Sequence, residues 1–404
     1  MSSITDPPGD TFRLSMLIND TRYRSLTFQA IAAIILALSI WYLGNNLIQN
    51  LRQAGLNISF DFLGSVSGYD INQTLIEYDS QSTHMRAAIV GVLNTLLVAF
   101  LACVTATVFG VFAGVLRLSN NWLVSKLMAF YVEIFRNIPV LIWIIIIFTI
   151  MTSVMPSPRA FRGENPDATM LFDAVAFTNR GVYIPAPVWG AGSLIVVLTF
   201  IASVIGIFAY RRYATKTLYD TGRLLPTFWP SVGLFFVPAI AMHFIMGQPV
   251  TLDYPVLGGF NFAGGLQLGG PLIALWFALS IYTGAFIAEN VRAGIQAVSK
   301  GQTEAAGALG MRPGRIMSLV VLPQALRVII PPLISQYLNI TKNSSLAIAV
   351  GYADVTATLG GITLNQTGRA IESVLLLMLF YLTISLTISA VMNIYNNSIK
   401  LKER

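Results

Sequence analysis

Apolar residues run along this chain in long, nearly unbroken blocks separated by shorter polar segments. A bilayer core about 30 Å thick takes about 20 apolar residues in helical form. Eight stretches approach or meet that length, near residues 26–48, 88–117, 128–153, 188–210, 228–246, 271–293, 331–352 and 372–395. They are continuous runs rich in Leu, Ile and Ala rather than short alternating segments, so the pattern predicts membrane-spanning helices and not barrel strands. The expected fold class is all-α: a polytopic membrane protein with about eight transmembrane helices.

The polar intervals have loop composition. Gln49 to Arg86 carries Asp61, Asp70, Glu77 and Asp79; Met155 to Pro187 includes PSPRAFRGENPD; Gly247 to Gly270 includes GGFNFAGGLQLGG. Spans 4 and 5 enclose a basic turn, YRRYATKTLYDTGR. Without that pair the chain still crosses coherently, so spans 4 and 5 with their loops read as an insertion into a core of spans 2, 3, 6, 7 and 8. The division expected is 1–87 for the amino terminus, first span and external segment, and 88–395 for the main transmembrane domain, followed by a tail at 396–404. Within the main domain, 154–270 is the insertion and 295–330 an inner loop.

Composition agrees with the pattern: 55% of residues are hydrophobic and 11% charged, with mean hydropathy +0.69, too apolar for a water-soluble surface. Basic residues accumulate on the cytoplasmic side of short loops. With the amino terminus inside, 17 of the 25 basic residues fall in cytoplasmic segments, 6 outside, and Arg136 and Lys342 within or at the edge of spans. Both termini are therefore expected in the cytoplasm. The net charge of +7 lies where it meets anionic lipid headgroups, so membrane lipid and no nucleic acid is implied. No small-residue cleavage site follows the first apolar run, which reads as an uncleaved anchor.

Chemistry is sparse. Cys103 is the single cysteine, which excludes a disulfide framework, and His84 and His243 have no neighbours at ligand spacing, so no metal is expected. GxSxG, HExxH and any Gly-Lys dipeptide are absent. Without a Walker A loop the chain is expected to be non-catalytic and to bind no cofactor itself.

One segment stands apart. GQTEAAGALGMRPGRIMSLVVLPQ, Gly301 to Gln324, lies between spans 6 and 7 on the inside by the charge count. Glu304 to Leu309 favours helix, Gly310 interrupts it, Pro313 starts a second short helix, and Pro323 ends or bends that one. Ala305, Ala306 and Ala308 leave a smooth face, rimmed by Glu304, Arg312 and Arg315. By its residues alone this is either a plain connector or a docking element.

Glu304, Ala305, Ala306, Gly310, Leu322 and Pro323 match the EAA loop of the integral-membrane subunits of ABC importers. The resemblance extends to FRNIPVLI (Phe135 to Ile142), AENVRAGIQAVSKGQTEAAGALGM (Ala288 to Met311) and LPQALRVIIPPLISQYLNITKNSSLA (Leu322 to Ala347). These look like permeases of the polar amino-acid branch, with type I, MetI-like cores. The extra first span and the inserted pair depart from the usual pattern. The enlarged layout is similar to the Q-type permease of the general L-amino-acid importers of alphaproteobacteria. The resemblance implies that Glu304, Ala305, Ala306, Gly310, Arg312, Leu322 and Pro323 dock a cytoplasmic ABC ATPase dimer, which uses ATP and Mg. It also implies a second permease subunit, a periplasmic amino-acid-binding protein, and the bacterial inner membrane as location. The rival class is an ion-coupled secondary transporter.

Two further sets of charges invite reading. Glu133 with Arg136 and Glu289 with Arg292 share the Glu-x-x-Arg spacing, which places each pair on one helical face; they are either local ion pairs or parts of an inner gate or subunit interface. If span 7 starts near Pro331, Lys342 lies roughly 16 Å into the membrane, where an unpaired lysine costs on the order of 3 kcal/mol. It either pairs with Glu133 or another acid, or lines the substrate pathway with Asn343, Ser344 and Ser345, Asp354 or Glu372 meeting the substrate's ammonium.

Overall fold

The computed structural model describes Ile18 and residues 21–399 except 56 and 164. The other terminal residues, which carry part of the charge count and most of the tail, lie outside the described residues. The chain divides into two units, Met1–Asp61 and Phe62–Arg404.

The first unit is built on α1 (Thr21–Gln53), 33 residues, about 50 Å at 1.5 Å per residue. It is apolar all round its middle turns, with Leu36, Ile40 and Trp41 all exposed, as a lipid-facing helix requires. The Ser39 hydroxyl turns inward to the helix and donates to the Ile35 carbonyl at 2.8 Å, which satisfies it where hydrocarbon offers no partner.

The second unit contains α2 (His84–Arg117), α3 (Trp122–Asn137), α4 (Val140–Ser153), α5 (Ser193–Thr221), α6 (Phe228–Ile245), α7 (Gly270–Gln296), α8 (Lys300–Ala308), α9 (Pro313–Ile316), α10 (Leu322–Asn343), α11 (Leu364–Thr367) and α12 (Ala370–Ile399). Among the described residues of the whole chain, seven helical stretches are long and apolar enough to cross a membrane, or eight if α3 and α4 cross as one. The expected straight span at 128–153 is instead these two helices, bent by 105°. The cause is Pro139. It forces Ile138 out of the helical region, to φ −104° and ψ 131°, as the residue before a proline must go.

The core sits between α2 and α7. α7 is the most enclosed span, with 61% of its apolar window buried, and α2 meets it through small residues. A methyl group on Gly110 would stand 2.5 Å from Ile287 Cβ, and one on Gly114 would stand 2.6 Å from the Ala288 carbonyl. With no hydrophobic drive between helices in lipid, such close approach and interhelical hydrogen bonds hold the bundle, at about 0.6 kcal/mol per bond. Trp276 Nε1 donates to Thr105 at 3.1 Å, and the Tyr131 hydroxyl donates to the Ile281 carbonyl at 2.6 Å. α5 and α6 pair with each other, Phe200 edge-on to Phe235 at 5.1 Å, and bury only 6% of their apolar windows.

The bundle has two ends. α7 begins at the cap end, immediately after a group of short strands, and finishes at the loop end, where α8 and α9 follow. The strands are β1 (Ala176–Thr178), β2 (Gly181–Ile184), β3 (Ala186–Trp189), β4 (Val250–Asp253), β5 (Val256–Leu257), β6 (Phe262–Ala263) and β7 (Leu266–Gly269). They pair antiparallel as β1-β2-β7, β3-β4 and β5-β6. The two segments read as irregular loops thus fold together as a small cap, with Val182 opposite Leu268 and a core of Ala176, Tyr183 and Phe262.

α10 starts at Leu322, not near Pro331, and carries Pro331 and Pro332 in its interior. A π-turn, Met317–Val321, joins α9 to α10. Pro323 therefore does not end the second short helix: it lies in the first turn of the next one, and its missing N–H is accommodated where the helical ladder widens.

Candidate functional site

The loop end presents Gly301 to Gln324 as a helix, a reversal and a second helix. α8 terminates in a Schellman motif: the Met311 amide donates to the Ala306 carbonyl at 3.2 Å and the Gly310 amide to Gly307 at 2.9 Å. Gly310 takes φ +74°, the left-handed region that only glycine enters without cost. Pro313 then occupies the first turn of α9, where its lost N–H is no loss. Ala306 is buried and anchors α8 inward, whereas Glu304, Ala305, Arg312 and Arg315 are exposed. Leu322 and Pro323, also exposed, mark the return into α10. At the tip Leu309 is 83% exposed. Sequence reading passed over this leucine, whose cue was its place beside Gly310.

Beneath this segment lies a charge cluster. Glu289 accepts from Arg292 Nη2 at 2.5 Å and Nε at 3.1 Å, and from Arg117. Glu133 does not pair with Arg136 as its spacing suggested. It lies 3.8 Å from Arg117, while Arg136 stands over the Phe286 ring at 5.3 Å, a cation–π contact. The physical reason is the packing of α3 on α2 and α7, which brings a better-placed cation to Glu133 and an aromatic face to Arg136. Arg117 thus ties α2, α3 and α7 together; with its partner Glu289 172 positions away in sequence, nothing local could have flagged it.

Lys342 stands near the end of α10, about 30 Å along the helix from Leu322, and it is exposed. Among the described residues it pairs with no acid, Glu133 included. The hydroxyls beside it serve the helix end: Ser344, fully buried, donates to the Thr341 carbonyl at 2.7 Å, and Ser345 to the Lys342 carbonyl at 2.8 Å. Asn343 closes α10 half-buried. Glu372 is occupied by Arg369 at 3.2 Å. Asp354 is fully buried, with Oδ1 accepting from the Ala357 amide at 2.8 Å; burial pushes its carboxyl up to about 6, against the pull of that amide. The structure does not bring these two acids to Lys342.

The comparisons with known proteins bear on the loop end. The family described as binding-protein-dependent transport system inner membrane component matches residues 195–401, just over half of the chain. The chain belongs to this family. It is 52% identical over the full length of both chains to the glutamate/glutamine/aspartate/asparagine transport system permease protein BztB of Rhodobacter capsulatus. It is 43% identical to the general L-amino acid transport system permease protein AapQ of Rhizobium johnstonii, over 98% of this chain and 96% of that one. A putative amino-acid ABC transporter permease protein of Escherichia coli, YhdX, is 44% identical over 98% of both. Membership carries the permease reading of the EAA resemblance and leaves the ion-coupled alternative without support. As a family member the chain is a multi-pass inner-membrane component.

Proposed function

We propose that this chain is the permease subunit of an ATP-driven importer that carries L-amino acids inward across the bacterial inner membrane. The observation that carries the reading is the rigid, exposed reversal at Gly310 in a chain alike from end to end to amino-acid permeases. The loop end faces the cytoplasm and the strand cap the periplasm, as the basic residues of the α5–α6 turn and of Lys300 to Arg315 favour. A cytoplasmic ATPase dimer, the user of ATP and Mg, grips Glu304 to Pro323. Burying the Leu309 side chain in that contact contributes about 2 kcal/mol. A second, different permease completes the pathway, and a periplasmic binding protein delivers substrate to the cap end. The chain is not itself an enzyme.

Reconstituting the chain with its ATPase, permease and binding-protein partners in liposomes tests this. Uptake of labelled L-glutamine and L-glutamate is expected to require ATP inside the compartment that holds the loop end, and to be indifferent to proton or sodium gradients. Uptake that follows an ion gradient without ATP would overturn it.

A further inference from the structure

At the cap end a cavity of about 850 Å³ opens between three separate parts of the chain, within the range of small-molecule sites. Residues 69–73, which precede α2, form one wall; the β2–β7 region forms another; the segment after α10 forms the third. The walls are stapled to one another. Asn94 Nδ2 donates to the carbonyls of Gln73 at 2.8 Å and Ala353 at 2.9 Å, and Gln73 Oε1 accepts from the Gly269 amide at 3.2 Å. The cavity is therefore a built feature of the fold, held by side chains that serve no other evident purpose.

Two opposite charges line it without meeting. Asp70 and Arg180 both border the cavity, yet they form no ion pair with each other or with any other described residue. Arg180 Nη1 donates to the Phe260 carbonyl at 3.2 Å, which leaves most of its planar fork unspent. Around them stand the amides of Gln267, Asn365 and Gln366; Gln267 Nε2 already donates to the Arg180 carbonyl at 3.4 Å and Asn365 Nδ2 to the Gly361 carbonyl at 2.8 Å, which leaves their carbonyl oxygens to accept. A cation and an anion held apart in one cavity, among neutral amides, suit a ligand that carries both charges itself. An α-amino acid is such a ligand: its carboxylate fits the guanidinium fork, its ammonium fits Asp70, and its side chain meets amides that impose no charge.

We propose that this cavity is a receiving site for the free amino acid at the outer face, with Arg180 reading the α-carboxylate and Asp70 the α-ammonium. The proposal rests on the importer reading above and gives the inserted segment a task, since Arg180 and Gln267 both come from it. Because the charges read groups common to all amino acids, the site admits the class and leaves finer choice elsewhere.

The test uses the full transporter in nanodiscs, without the binding protein, and equilibrium binding of labelled L-glutamine. Saturable binding is expected in the wild type and at least about tenfold weaker binding in Arg180→Gln and in Asp70→Asn. Arg180→Lys and Asp70→Glu are expected to restore it to within about threefold. L-Glutamine methyl ester and N-acetyl-L-glutamine, each lacking one charge, are expected to compete about tenfold more weakly than L-glutamine. Both residues are exposed, so the variants fold; equal binding by wild type and both charge-removing variants overturns the proposal. So does an Arg180→Gln variant that loses only binding-protein-dependent uptake, which would make Arg180 a docking contact. Wild-type ATP-driven uptake with no binding in this assay refutes the cavity alone, whereas absence of uptake refutes the importer reading itself.

Discussion

Gly310 offers a graded test of the loop end, because its backbone and its surroundings set different limits. A Cβ added there would meet no atom within 4 Å, so alanine faces no clash and only the cost of holding φ at +74°, about 1 kcal/mol. Asparagine, which tolerates the left-handed region, costs less. Proline cannot take a positive φ and removes the amide that bonds the Gly307 carbonyl at 2.9 Å; the reversal is lost, at about 3 kcal/mol or more. If the ordered reversal is what the ATPase grips, these costs appear as weakened docking, since 1.4 kcal/mol is tenfold. Asparagine is expected to be near wild type, alanine about fivefold weaker and proline about a hundredfold weaker or worse. The assay is co-purification with the ATPase subunit, with thermal unfolding in parallel to show that the bundle is intact. Proline co-purifying as well as alanine, with both folded, would refute the reasoning.

Glu289→Gln strips Arg117 and Arg292 of their shared anion at a site only 23% exposed. It is expected to cost about 2–3 kcal/mol of stability, less than for a fully buried pair. Glu133→Gln, at 60% exposure, is expected to cost less than about 1 kcal/mol. Equal losses on thermal unfolding would contradict the cluster as described. For Asp354 the folded-state value is raised from 3.8 to about 6, so the folded protein binds a proton that the unfolded chain has released between those values. Its burial therefore opposes folding above about pH 6 and ceases to do so as pH falls towards 4. Asp354→Asn, which keeps an acceptor for the Ala357 amide, is expected to raise the melting temperature at neutral pH and to lose that advantage in acid; an advantage independent of pH would exclude this account.

What the sequence made legible follows from how local each signal is. Gly310 and Pro313 act within a turn of themselves, and the helix–reversal–helix could be drawn from them directly. The break in the third span had an equally local signal in Ile138–Pro139, but the apolar run continues through it, and hydropathy registers length rather than direction. Pro331 and Pro332 misled in the opposite sense. They suggested a helix start, whereas in a membrane bundle neighbouring groups tolerate prolines inside a helix. That error cut the first turns, from Leu322 onward, off the helix that carries Lys342. The cap was unreadable because its strands are two to four residues long and pair across an intervening helical hairpin. Arg117, Asn94 and Asp70 with Arg180 acquire meaning only through partners far away in sequence.

The helix that relates the two ends is α7. Its first residue follows β7, whose Gly269 is bonded to Gln73 in the cavity wall, and its last turn stands three residues before α8. Over its 27 residues, about 40 Å, it is packed too closely against α2 at Gly110 and Gly114 to bend or slide independently. The Arg117–Glu289 pair fixes the same two helices near the loop end. A displacement imposed on α8 by a closing ATPase therefore reaches the cap end as a movement of α2 and α7 together. The cavity walls are stapled both to α2, through Asn94, and to the residue before α7, through Gly269, so they move with that pair rather than against it. The wall formed after α10 is tied to α2 at neighbouring points, through the Asn94 side chain to the Ala353 carbonyl, the Tyr352 hydroxyl to the Asn94 carbonyl at 3.1 Å and the Val355 amide to the Thr95 hydroxyl at 3.0 Å, so a movement of the pair is passed to that wall along this one turn of α2.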